Sequence, residues 1–201
     1  MKTPHTTLAL AFSVALASSV SYAQTNKPTP VTPSSQPAGQ PAQPATGAQE
    51  RPSGLASRDG MFLENAIQGS HAEIVGSQLA LEKTESDDVK SFARMMIDDH
   101  GKMAKEAETL ATQKGMTPPT GPSAMQATEI TALKALSGGA FDAMYVNRIG
   151  VASHEATVEM FEKASQESED PDIKEMATKT LPKLKRHLEM ANSLNQKQEK
   201  Q

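Results

Sequence analysis

Residues 87–114 read DDVKSFARMMIDDHGKMAKEAETLATQK. Val89, Phe92, Ala93, Met96, Met103, Ala107 and Leu110 recur at helical spacing and form one apolar stripe. Gly115 follows as a C-terminal stop. One residue breaks the apolar logic of the stripe. His100 falls near its centre, where a polar side chain is costly to bury unless it is paired.

Similar stripes lie on both sides. Upstream, Leu63, Ile67, Ile74 and Leu81 predict a helix over 59–83. Beside them runs a line of smaller residues, Ala66, Gly69, Gly76 and Ala80, over which a neighbouring helix could pack closely. Downstream, Pro118, Pro119, Gly121 and Pro122 demand a loop. A short helix is expected over 123–137, ended by Gly138-Gly139. Phe141, Met144, Val151, Val158 and Phe161 then predict a helix over 140–168. Asp170-Pro171 pairs an N-cap residue with proline at the first helical position. The helix it starts, over 171–195, turns Ile173, Ala177, Leu181, Leu184, Leu188, Ala191 and Leu194 inward. No strand pattern competes. The expected fold is all-α: an up-and-down four-helix bundle over 57–195, with an extra short helix between the second and third long helices. A polar tail, 196–201, ends the chain.

The N-terminal part reads differently. Lys2 precedes an apolar run from Leu8 to Val20, and Ser21-Tyr22-Ala23 offers small residues for cleavage. This is the pattern of a signal peptide over 1–23. A run of about 13 residues is too short for a membrane span. Residues 24–56 hold seven prolines, from Pro28 to Pro52, among Gln, Thr, Ser and Ala, and are expected to form a disordered linker. The mature protein is expected to be periplasmic or secreted, with no transmembrane segment.

Composition excludes several functions. The 201 residues contain no cysteine, so disulfides, thiolate metal sites and thiol catalysis are ruled out. A net charge of -4 without a basic block argues against a nucleic-acid partner. No phosphate loop, Gly-x-Ser-x-Gly or His-Glu-x-x-His motif is present. The expected role is an envelope protein with a non-enzymatic binding or stress-protective bundle, open to self-association or an envelope partner; the alternative is a metal-binding or metal-dependent oxidoreductase bundle that uses inward histidines.

The residues that invite chemistry are polar groups on inward faces. His187 lies between Leu184 and Ala191, and His154 and Glu155 flank the line from Val151 to Val158. Glu73 lies beside the first helix's stripe, and His71 on its other flank. Glu73, His100, His154 and His187 thus offer one polar group from each of four helices. Imidazole and carboxylate together suit a transition-metal ion. Asp99, Glu155 and His71 are candidate supporting groups. The competing reading is a hydrogen-bonded network in which Glu73, Asp99 and Glu155 satisfy core histidines. A di-iron centre is disfavoured. It needs Glu-x-x-His on two helices, and Ile97, Val151 and Leu184 occupy the positions three before the histidines. His100 with Met103 and His187 with Met190 repeat His-x-x-Met, offering thioethers as soft ligands for Cu(I). Pro182 marks a candidate kink five residues before His187, and Lys183, Lys185 and Arg186 read as a solvated basic face.

Phe62-Leu63 with Ala72-Glu73, Met96-Ile97-Asp98-Asp99-His100, Phe141-Asp142 with His154-Glu155, and Thr180-Leu181-Pro182 with His187-Leu188 together resemble an exported bacterial family. It is the family catalogued as domain of unknown function 4142, and the resemblance covers residues 58–194. It implies a ferritin-like fold and an envelope location, including association with the outer membrane. It implies no particular activity, substrate or metal. The family's third-helix motif commonly places an acidic residue before the histidine. Here Ser153 precedes His154 and Glu155 follows it.

Overall fold

The computed structural model describes residues 55–200, which are all-helical with turns between. The expected signal peptide and nearly all of the expected linker lie outside the described residues. Six α-helices follow in order: α1 (Ser57–Lys83), α2 (Asp87–Gln113), α3 (Ala124–Lys134), α4 (Gly138–Met144), α5 (Ser153–Glu167) and α6 (Pro171–Gln198). Between α4 and α5, Tyr145–Ala152 form a π-helical segment. The backbone stays helical at both junctions, so Gly138 to Glu167 is one continuous rod.

Local chemistry sets the ends. The Ser86 side chain accepts from the Val89 N–H, and Asp87 and Asp88 oppose the positive N-terminus of α2. At the other end Gly115 takes φ 76, and the N–H groups of Gly115 and Met116 bond the carbonyls of Thr112 and Ala111. That is a Schellman turn, and the left-handed residue is glycine for the usual steric reason. Ser123 and Gln126 cap α3 reciprocally. Asp170 accepts from the N–H groups of Asp172 and Ile173, with Pro171 next in line, as the sequence predicts. Gly138-Gly139 was expected to end one helix. Instead α3 stops at Lys134, and Gly138, at φ 54, opens the rod. Pro182 lies exposed on α6, which runs through it unbroken.

The expected stripe of α1 needs correction. Ile74 and Leu81 are only half-buried, while Glu73, Ser77 and Ala80 are buried. The line of small residues faces in because the π segment approaches there. A Cβ added to Gly76 would stand 3.2 Å from Ile149 Cγ1. On the other side of the π segment, a Cβ on Gly150 would stand 3.1 Å from Ala191 Cβ of α6.

Helix α1 packs mainly on α2, and α5 on α6. The core divides into two apolar halves. One is built on Ala72, Leu79, Phe92, Met96, Tyr145 and Ile149, and the other on Leu63, Ile67, Ala107, Phe161, Ile173 and Leu184. Along α2 the order is Met96, His100, Ala107; along the rod it is Ile149, His154, Phe161; along α6 it is Leu184, His187, Ala191. A polar waist therefore crosses the bundle between the halves.

Candidate metal centre

Four of the waist's side chains are almost fully buried: Glu73 and His100 at 1%, His154 at 0% and His187 at 1% exposure. The three imidazole rings form a nearly equilateral triangle. Their centroids are 5.3 Å apart for His100–His154, 5.3 Å for His100–His187 and 5.4 Å for His154–His187. One ring nitrogen from each lies within 4.8 Å of the other two.

The neighbours of each ring fix where its proton sits. His154 Nδ1 is 3.2 Å from the carbonyl oxygen of Ile149. A carbonyl can only accept, so Nδ1 donates and Nε2 keeps its lone pair. His100 Nδ1 lies 2.6 Å from Glu73 Oε2, though not in line with the N–H axis. The carboxylate again places the proton on Nδ1 and frees Nε2. His187 reverses the pattern: its Nε2 donates to Asp99 Oδ2 at 2.9 Å. That leaves its Nδ1 free, buried and without a hydrogen-bond partner. The two free Nε2 atoms of His100 and His154 face each other at 3.3 Å. Two lone pairs at that distance repel, so a proton or a cation between them is favoured. Nitrogens on one tetrahedral ion at about 2.0 Å would stand about 3.3 Å apart.

The outer partners are themselves held. Ser153 Oγ donates to Glu73 Oε1 at 2.7 Å, and His154 Nδ1 is 3.7 Å from the same oxygen. Asp99 Oδ1 accepts from Lys183 at 2.5 Å. Burial by itself would raise the Glu73 carboxyl. The charges and hydrogen bonds of His100, with His154 and Ser153, outweigh it and bring the group down to about 2. Asp99 also lies below its ordinary value, because Lys183 and His187 outweigh its partial burial. Burial pushes His187 down to about 4, further than its bond to Asp99 can restore. Burial likewise lowers His154, against the pull of Glu73. These two imidazoles are thus neutral at pH 7 beside two ionised carboxylates, only one of which has a lysine.

The π segment contributes to this directly. With Ser153 N–H bonding back to the Arg148 carbonyl, the wider register leaves the Ile149 carbonyl within reach of the His154 ring. Below the waist, Tyr145 is buried and shares a 2.8 Å hydrogen bond with Ser77.

A sequence profile for a domain of unknown function, DUF4142, matches residues 43–194. The chain belongs to the DUF4142 family. No curated protein sequence matches it. Its fold is similar to the crystal structure of a DUF305 fragment from Deinococcus radiodurans: TM-score 0.61, 15% identity, over 71% of this chain and 98% of that one. It is also similar to CopM in the Cu(I)-bound form: TM-score 0.60, 22% identity, over 69% of this chain and 96% of that one. The Cu(II)-bound form of CopM matches over the same shares at TM-score 0.56 and 22% identity. At these identities the likeness concerns the fold. Among the described residues of this DUF4142 chain, no helix is long and apolar enough to cross a membrane.

The other residues singled out by sequence fall as follows. Asp99 supports His187. Glu155, next to His154, is exposed, because one residue along a helix turns the side chain away from the waist. His71 lies 3.2 Å from Glu108, outside the cluster. Met103 is half-buried and lines a small cavity with Glu73 and His100. Met190 is 44% exposed, on a surface groove beside Asp88 and Phe92, so its spacing from His187 does not bring it to the rings. Sequence reasoning missed three participants. Ser153 and the Ile149 carbonyl carry no signal of their own. Lys183 was placed on a solvated face, but its long side chain reaches Asp99 while staying partly exposed.

Proposed function

We propose that this chain binds one transition-metal ion on His100 Nε2, His154 Nε2 and His187 Nδ1, and that its role is binding rather than turnover. The observation that carries the reading is a buried triangle of three imidazoles, each with a ring nitrogen within 4.8 Å of the other two, in which the Nδ1 of His187 has no hydrogen-bond partner. Each ring's other nitrogen faces a carboxylate or a carbonyl, which orients the ring as the outer partners of a histidine metal site do. Glu73 then acts by fixing His100 rather than as a ligand. CopM, the fold neighbour solved with Cu(I) and with Cu(II), makes copper the first metal to test. The cavity beside the rings is about 10 Å³, room for about one water. That closure supports storage, buffering or protection more than substrate chemistry.

The competing reading is a structural network. One shared proton between His100 and His154 would satisfy both rings, in keeping with the 3.3 Å contact. It leaves His187 Nδ1 unexplained, which is why we rank it second. The test is titration of the apo chain with Cu(II) and Co(II), followed by desalting and elemental analysis. One bound ion per chain, lost in His100→Ala/His187→Ala, supports the metal reading. No retained metal in wild type leaves the network.

On the N-terminal pattern we further propose that residues 1–23 are a signal peptide and that the bundle is tethered by residues 24–56 in the periplasm or outside the cell. N-terminal sequencing of protein from the envelope fraction should begin at Gln24. We read the helices as a ferritin-like, up-and-down four-helix bundle, with the rod from Gly138 to Glu167 as the third long helix.

A further inference from the structure

The waist is closed, so an ion bound there needs a way in. The small cavity against the rings has Glu73, His100, Met103 and Met160 on its wall. A depression of about 180 Å³ opens on the neighbouring surface between α1 and α5. Met160 and Asn65 line both spaces, and Met61 lies at the outer one, 48% exposed. Methionines thus mark successive stages from the surface to His100.

We infer that Met61, Met160 and Met103 form a thioether path that admits a soft monovalent cation, Cu(I), to the histidine cluster. The inference rests on the metal reading and adds the ion's class and route to it. Thioethers are neutral and polarisable and prefer Cu(I) to harder divalent ions. They carry no proton to displace, so a soft ion can pass between them and exchange onto imidazole. Leucine in their place would fill the same volume without ligating, which separates this role from methionine's ordinary use as a gap filler.

The test uses the full chain and two probes, Ag(I) as a redox-inert stand-in for Cu(I), and Co(II). In Met103→Leu/Met160→Leu, a near volume-conserving change, Ag(I) loading should slow about tenfold or more while Co(II) loading is unchanged. Equal Ag(I) rates in variant and wild type overturn the path. So does equal slowing of both ions, which would show a steric route without ligation. If Co(II) and Ag(I) both fail to bind wild type, the histidine site itself is wrong, and the path falls with it. Should the variant not fold, methyl resonances of wild-type protein decide. Substoichiometric Ag(I) should shift Met160 and Met103; shifts confined to other methionines contradict the inference.

Discussion

The two apolar halves and the polar waist obey opposite rules. In the halves, Phe92, Leu63 and Leu184 are buried because removing their surface from water is favourable, and any side chain of the right shape would serve. In the waist, three imidazoles and a carboxylate are buried as deeply, at a desolvation cost that only their mutual arrangement offsets. The halves are there for stability. The waist carries a desolvation cost that the halves do not, and the proposed metal site rests on that contrast.

The contrast can be broken from either side. Phe92→Ala should destabilise the fold by about 3–5 kcal/mol while leaving the metal stoichiometry of the folded fraction unchanged. Chemical denaturation with and without metal checks both halves of that statement. In the waist, Glu73→Gln should weaken metal binding by about 10–100-fold, by loosening the hold on His100. Competition against a chromogenic chelator measures it, and an unchanged affinity would return Glu73 to a purely structural role.

Acid should act on the waist first. His187 lies below its unfolded value of 6.5, at about 4, so the unfolded chain binds the proton first as pH falls. The stability this group contributes is complete above about pH 6.5 and is lost as pH falls toward 4. Glu73, at about 2 against an ordinary 4.5, adds a second loss, from about pH 4.5 downward. Unfolding midpoints of the apo protein should therefore fall in two stages, and His187→Leu should shrink the upper one to the part that the lowered His154 contributes. The smallest effect is expected at the surface. Met190→Leu should leave both affinity and stability within error, because the side chain lies away from the rings.

The sequence and the structure divide along the same line. The apolar halves were legible because periodicity reports the angle of each residue around its helix. The stripe of α2, apart from the half-buried Met103, and the Asp170-Pro171 start stand where they were expected. His100 and His187 could be read as inward for the same reason. Periodicity says nothing of height along the bundle. The register between helices depends on contacts such as the Asp59 carboxylate, which accepts from the N–H groups of Glu169 and Asp170 and ties the start of α1 to the turn before α6. The π segment was invisible as well, since it answers to the close approaches at Gly76 and Gly150 rather than to any local motif. Without it the Ile149 carbonyl could not be foreseen as the partner of His154.

The central claim concerns three named atoms, and anomalous diffraction from Co(II)-loaded crystals tests it most directly. The account predicts one cobalt peak, about 2.0–2.2 Å from His100 Nε2, His154 Nε2 and His187 Nδ1, with His187 Nε2 still bonded to Asp99. A waist without a peak in loaded, folded protein, or an ion on His187 Nε2 with Asp99 displaced, would contradict it.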